Sequence, residues 1–146
     1  MGYTRSMTFE GNGDGETIPH RRRLLHYHGD EVRVIFLAGA VVLTVAQSTG
    51  ANLPLSTLGA VASAVVLVIA AGITNPAQSG IHWLNALLAI SGTVLFGSTA
   101  VEHYRSGISI LDPSFTYTEA LALLSLLALY FTTRTIRGYL QRSSLS

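Results

Sequence analysis

The sequence predicts an all-α, polytopic membrane protein with four transmembrane helices in an up-down-up-down bundle. Residues 34–101 contain no Asp, Glu, Lys or Arg, and charged residues make up only 12% of the chain, against about 25% in soluble domains. A hydrocarbon core about 30 Å thick is crossed by about 20 helical residues. The uncharged stretch is therefore too long for one crossing and fits three, and a fourth apolar stretch follows a polar loop.

Two turn-like segments divide the uncharged stretch. Residues 48–54 and 74–80 collect Gly, Pro, Asn and Ser, which interrupt helices because they allow positive φ, fix φ or bond their own backbone. The apolar pieces between these segments, together with the apolar stretch after the polar loop, predict the crossings. We place them at 32–48, 55–73, 81–101 and 117–136.

Capping signals precede the third and fourth predicted helices. Asn75 is followed by Pro76, and Gln78 lies three residues after Asn75, which indicates that the third helix begins before its apolar part. Thr116 and Glu119 have the spacing of a capping box, in which each side chain bonds the backbone of the other residue. We therefore expect the fourth helix to begin at this pair.

The polar residues outside these helices indicate one membrane domain, 32–139, between two shorter segments. Residues 1–31 are polar and rich in glycine and have no repeating apolar face, so we expect a largely disordered cytoplasmic segment. Residues 140–146 are expected to form a short cytoplasmic tail. We expect no signal peptide, because a polar segment precedes the first apolar run.

The arginines predict the orientation of the chain. With four crossings, every basic residue except Arg105 lies on one side, namely Arg5, Arg21, Arg22, Arg23, Arg33, Arg134, Arg137 and Arg142. Because an excess of Lys and Arg marks the cytoplasmic side, we place both termini in the cytoplasm, with the chain in the inner or plasma membrane of the cell. Anionic lipid headgroups attract such residues, and the predicted cytoplasmic anchors are Arg21, Arg22, Arg23, Arg134 and Arg137. No nucleic-acid partner is expected.

The third helix carries a stripe of polar and small residues at steps of three or four: Gln78, His82, Asn85, Ala89, Thr93 and Gly97. Residues at this spacing share one side of a helix. Because an unsatisfied amide is costly in hydrocarbon, Asn85 should face other helices. One interpretation is a packing face. The other is a polar path open to the cytoplasm and lined by Gln78, His82, Asn85 and Thr93.

Small residues predict close contacts between helices. Gly59 and Ser63 lie four residues apart in the second helix, and Ala89 and Gly97 lie on the stripe of the third. Side chains this small let another helix backbone approach closely. The pattern predicts helix packing in general and specifies no partner.

The histidines do not form a recognisable metal or haem site. His26 and His28 are two residues apart, so on a strand or on a helix they point in nearly opposite directions. His82 and His103 lie about one membrane thickness apart along the third helix. The chain has no cysteine, which excludes a zinc–sulfur site and a thiolate nucleophile. We therefore predict no metal and no cofactor.

The sequence contains no catalytic or nucleotide-binding motif of the kind that defines an enzyme class. We therefore expect a non-enzymatic subunit that acts through helix contacts in a homo-oligomer or a larger membrane complex. Its expected partners are the lipid bilayer and either itself or other membrane subunits. The alternative is a small oligomeric channel or carrier with a polar path lined by the third helix. A third class is an enzyme that acts on lipid at the outer face through Glu102, His103 and Asp112.

Overall fold

The computed structural model describes residues 29–73 and 79–143, and every regular element in them is an α-helix. The helices are α1 (Gly29–Ser48), α2 (Thr57–Ile73), α3 (Ser79–Arg105) and α4 (Pro113–Ser143). The all-helical prediction with four helices is therefore confirmed for the described part of the chain. The predicted cap at 75–78 and the N-terminal segment up to residue 28 lie outside these residues.

Three of these helices are long and apolar enough to cross a membrane. The spans that qualify are Asp30–Ser48 in α1, Gly80–Arg105 in α3 and Pro113–Gly138 in α4. The apolar helix α2 has only 17 residues, or about 26 Å at 1.5 Å per residue, against a hydrocarbon core of about 30 Å. These three helices indicate a membrane location, and a crossing by α2 remains a prediction.

Glycines end α1 and α3 in the same way. Gly50, with φ 71°, lies in the first predicted break. Its amide donates to the carbonyl of Gln47 (3.2 Å), and the next amide, of Ala51, donates to the carbonyl of Ala46 (3.0 Å). This is the Schellman arrangement, and glycine adopts its left-handed backbone at little cost. Gly107, with φ 72°, makes the equivalent bonds after α3.

The start of α4 differs from the prediction. The helix begins at residue 113, and its cap is Asp112, whose Oδ1 accepts a hydrogen bond from the amide of Ser114 (2.8 Å). The hydroxyl of Thr116 donates instead to the carbonyl of Ile110 (3.0 Å), so the capping box predicted at 116–119 is wrong. An Asp cap followed by proline at the first helical position satisfies the helix start one turn earlier.

The helices pack unevenly around the interior. α1 contacts both α2 and α4, and α3 packs along α4, whereas α2 and α3 barely touch. The interior consists of two clusters of buried apolar residues. The first contains Leu43, Ala46, Leu53, Ala60, Phe96, Leu121 and Ala122. The second contains Val32, Phe36, Ala70, Ala71, Ala89 and Ala128.

Large apolar side chains lie mostly on the outside of this arrangement and small ones on the inside. Leu58 of α2 is 79% exposed and Leu87 of α3 is 61% exposed, while Ala46 and Ala128 are fully buried. Soluble proteins rarely expose such continuous apolar surface. In a bilayer the outward side chains meet lipid, and the small inward ones let helix backbones pack closely.

Candidate functional site

A cavity of about 360 Å³ lies between the four helices, and we call it the central cavity. Its inner wall consists of buried side chains from both interior clusters. Phe36 and Leu43 come from α1, Ala89 and Phe96 from α3, and Leu121 from α4. The cavity therefore interrupts the packing between the two clusters.

The mouth of the central cavity lies between α2 and α3. The exposed lining residues in the middle of these helices are Ala62 and Val66 on α2 and Ser91 and Leu95 on α3. The mouth exists because α2 and α3 barely touch. The mouth lies halfway along these two apolar helices.

Three serines supply the only polar side chains among the described residues that line the central cavity: Ser63, Ser91 and Ser125. Other hydroxyls on these helices donate to carbonyls of their own helix, as Thr93 does to Ala89 (2.8 Å). Within the described residues, none of the three cavity serines makes a hydrogen bond. Their hydroxyl groups therefore remain able to donate to a molecule inside the cavity.

The polar residues of the predicted stripe, His82, Asn85 and Thr93, do not line the central cavity, although Ala89 of the same stripe does. His82 and Asn85 are 4% and 2% exposed, on the helix that packs along α4. Thr93 is only half-buried, and its hydroxyl bonds its own helix. Gln78 lies outside the described residues. The structure thus brings His82 and Asn85 together on one buried face and leaves Thr93 off it.

The stripe leaves the buried face because of helix geometry. A step of four residues advances about 40° past a full turn. Three such steps lead from Asn85 to Gly97, so Gly97 lies about 120° around the helix axis from Asn85. Gly92, seven residues after Asn85, lies only about 20° around the helix axis from Asn85 and is therefore on the same side of the helix. That spacing is the signal in the sequence that indicates Gly92 as a packing residue.

Gly92 lies at a close approach between α3 and α4. A Cβ atom at Gly92 would lie 2.5 Å from Oγ and 3.2 Å from Cβ of Ser125. By contrast, a Cβ at Gly97 would meet no described atom within 4 Å, and one at Gly59 would meet only Ser56 and Leu55 of the preceding turn. The packing role predicted for Gly59 and Gly97 therefore remains a prediction for contacts with another chain.

The other two predicted packing residues lie inside the chain. Ala89 is almost completely buried and belongs to the second interior cluster. Ser63 is half-buried on α2 and lines the central cavity. The small side chain of Ala89 lets α3 approach its neighbours, whereas Ser63 faces open space.

The polar residues at the far end of α3 do not converge on one site. His103 is buried, while the adjacent Glu102 is exposed on another side of the helix. Asp112 is already engaged as the cap of α4. Within the described residues no three His, Asp or Glu side chains are grouped so as to hold a metal ion, and His26 and His28 lie outside them.

Arginines occupy the opposite end. Arg134 and Arg137 are exposed near the end of α4, and Arg21, Arg22 and Arg23 lie outside the described residues. Arg33 connects two helices, because its Nε donates to the carbonyl of Ala71 in the last turn of α2 (2.9 Å). A positive group at a helix C-terminus also interacts favourably with the helix dipole.

These features define a class of protein: a small all-helical chain with membrane-type helices and an apolar cavity that opens between two of them. No family model, curated protein or solved structure matches this chain. Similarity to known proteins therefore assigns it no function.

Proposed function

We propose that the chain is a non-enzymatic membrane subunit that acts through helix contacts in a homo-oligomer, with α2 as the contact helix. In this proposal all four helices cross the inner or plasma membrane in an up-down-up-down order, and both termini are cytoplasmic. The observation that carries the proposal is the position of α2, which packs well against only one other helix, α1.

Two contacts between helix ends support alternating directions. The Arg33–Ala71 hydrogen bond joins the start of α1 to the end of α2. The amide of Asn52, just after α1, donates to Oγ of Ser114 at the start of α4 (3.0 Å). Each pair of ends fits helices that run in opposite directions. The arginine distribution adds the cytoplasmic location of both termini.

The outward side of α2 has the properties of a helix contact. Leu58, Val61, Val65 and Val68 are exposed and follow one another at steps of three, four and three, which places them on one face. Gly72, four residues further on, leaves open space beside it. A helix shorter than the bilayer is accommodated by thinning the bilayer or by oligomerising, and a second copy of α2 would cover this face.

Cysteine crosslinking tests the proposed contact, because the chain has no cysteine of its own. Val65 of α2 and Val41 of α1 are both mid-helix valines, 52% and 62% exposed. We expect Val65→Cys to form disulfide-linked dimers in native membranes under oxidising conditions and Val41→Cys to form few. Equal crosslinking at both positions, together with a monomer in mild detergent, would contradict the proposal.

The structure gives the channel or carrier alternative less support. His82 and Asn85 are buried within one chain, so they offer no exposed polar face from which several copies could build a path. Measuring ion flux across liposomes that contain the protein distinguishes the channel from the subunit. Flux that Asn85→Leu abolished, while the variant still inserted, would favour the channel over the subunit.

A further inference from the structure

We propose that the central cavity binds a neutral lipophilic carbonyl compound of the quinone type, which enters from the middle of the bilayer between α2 and α3. The juxtaposition that carries this proposal is an apolar cavity, a mouth on the hydrocarbon side and three serine hydroxyls without partners inside the described chain. The proposal goes beyond the subunit function, but it rests on the crossing of the membrane by α2 that the proposed function includes. Reporter fusions test that crossing independently of ligand binding.

The size and lining of the cavity suit a small apolar ligand. Its volume of about 360 Å³ falls within the range of about 300–1,000 Å³ typical of ligand sites, which are mostly apolar with a few polar groups that orient the ligand. No charged side chain is among the described lining residues. Because an unpaired charge is strongly disfavoured in such surroundings, the ligand must be neutral.

The serine hydroxyls determine which polar atom the ligand carries. Threonines on the same helices donate to their own backbone, as Thr93 on α3 and Thr132 on α4 do, whereas Ser63, Ser91 and Ser125 do not. A hydroxyl group in hydrocarbon is disfavoured until it is hydrogen-bonded. A carbonyl oxygen accepts such bonds without bringing a charge.

The depth of the site separates a quinone-type ligand from a phospholipid chain. Ser63 lies in the interior of α2, Thr57–Ile73, and Ser91 near the middle of α3, Ser79–Arg105. The ester oxygens of a phospholipid lie at the edge of the hydrocarbon core, about 15 Å from its centre. A phospholipid chain at this depth would present only methylene groups, whereas a lipophilic quinone can place its carbonyls there.

Equilibrium binding of a decyl-substituted benzoquinone to the full-length protein in phosphatidylcholine nanodiscs tests the proposal. We expect saturable binding to the wild type and at least tenfold weaker binding to a Ser63→Ala, Ser91→Ala, Ser125→Ala triple variant. Ala62→Phe, which fills the mouth, should abolish binding. The matched controls are Ser98→Ala, which removes a hydroxyl bonded to its own helix, and Val94→Phe, which adds a phenyl ring at an exposed residue of α3 outside the cavity lining; both should bind like the wild type.

Three results would overturn the proposal. The first is no saturable binding to the wild type, and the second is equal binding to Ala62→Phe and Val94→Phe. The third is binding that Ala62→Phe abolishes but the triple serine variant retains, since that would identify a plain hydrocarbon chain as the occupant. Circular dichroism and gel filtration of each variant distinguish loss of binding from loss of folding.

Discussion

Gly92 and Gly97 lie on the same helix but in different surroundings. We expect Gly92→Ala to destabilise the protein by about 1–3 kcal/mol relative to Gly97→Ala, as overpacking does. The added methyl group at position 92 would collide with Ser125, whereas position 97 has open space. At position 97 the substitution should be neutral or slightly stabilising, because alanine favours helix by about 1 kcal/mol over glycine. Unfolding in mixed micelles with increasing SDS measures both.

A double variant makes this comparison stricter. Combining Gly92→Ala with Ser125→Ala removes the nearer of the two collisions, the one with Oγ, so part of the lost stability should return. If Gly92→Ala proved as stable as Gly97→Ala, that result would contradict the close contact of α3 and α4 at Gly92 and Ser125.

Asp112 is the second single residue whose contacts lead to a prediction. Removing its side chain in Asp112→Ala leaves the amide of Ser114 without its capping partner, which should cost about 1 kcal/mol. Asp112→Asn keeps an acceptor oxygen and should retain most of the stability. Glu119→Ala is the matched control, because Glu119 lies inside α4 and caps nothing. An equal loss of stability from Asp112→Ala and Glu119→Ala would contradict the cap at Asp112 and favour the capping box at 116–119.

At the level of helices, Arg33 links α1 to α2. Its bond to the carbonyl of Ala71 satisfies one of the last carbonyls of α2, which no amide of the same helix can reach. Arg33→Met keeps the length of the side chain but loses the donor. We expect a cost of about 1 kcal/mol, below the usual value for a charged donor, because the side chain is half-exposed.

The same SDS titration checks this prediction, with Arg137→Met as control. Arg137 is an exposed arginine of α4 and should tolerate the change. Because α2 packs well against α1 alone, loss of the bond should also raise amide hydrogen exchange selectively in the last turn of α2. Unchanged exchange there would show that Arg33 does not hold α2 in place.

The membrane topology of the whole molecule depends on whether α2 crosses the membrane. We expect a C-terminal green fluorescent protein fusion to fluoresce and a C-terminal alkaline phosphatase fusion, active only outside the cytoplasm, to be inactive. Phosphatase inserted after Gly107, in the loop between α3 and α4, should be active. If α2 did not cross, three crossings would remain and the C-terminus would lie opposite the N-terminus. An active C-terminal phosphatase would therefore refute the four-span arrangement.

Helix positions were predictable because the signals for them are local. Gly50 lies in the break that ends α1, as predicted, since only residues near it in the chain make its capping bonds. The start of α4 was misplaced because two capping signals compete within a few residues, and the Asp-Pro pair precedes the Thr-Glu pair. The candidate site was less predictable: Ser63 was identified as a packing residue but lines the cavity, while Ser91 and Ser125 were not identified.

Uncharged composition and glycine- or proline-rich breaks were enough to predict a membrane protein of four helices. The free energy of transferring side chains into hydrocarbon is a property of each stretch of chain separately, so it can be summed along the sequence. The burial of His82 and Asn85, the close approach at Gly92 and the cavity mouth between α2 and α3 required the folded arrangement. Lipid tails and helix interiors are similarly apolar, so hydrophobicity does not distinguish a side that faces lipid from one that faces another helix. Only the three-dimensional contacts made that distinction.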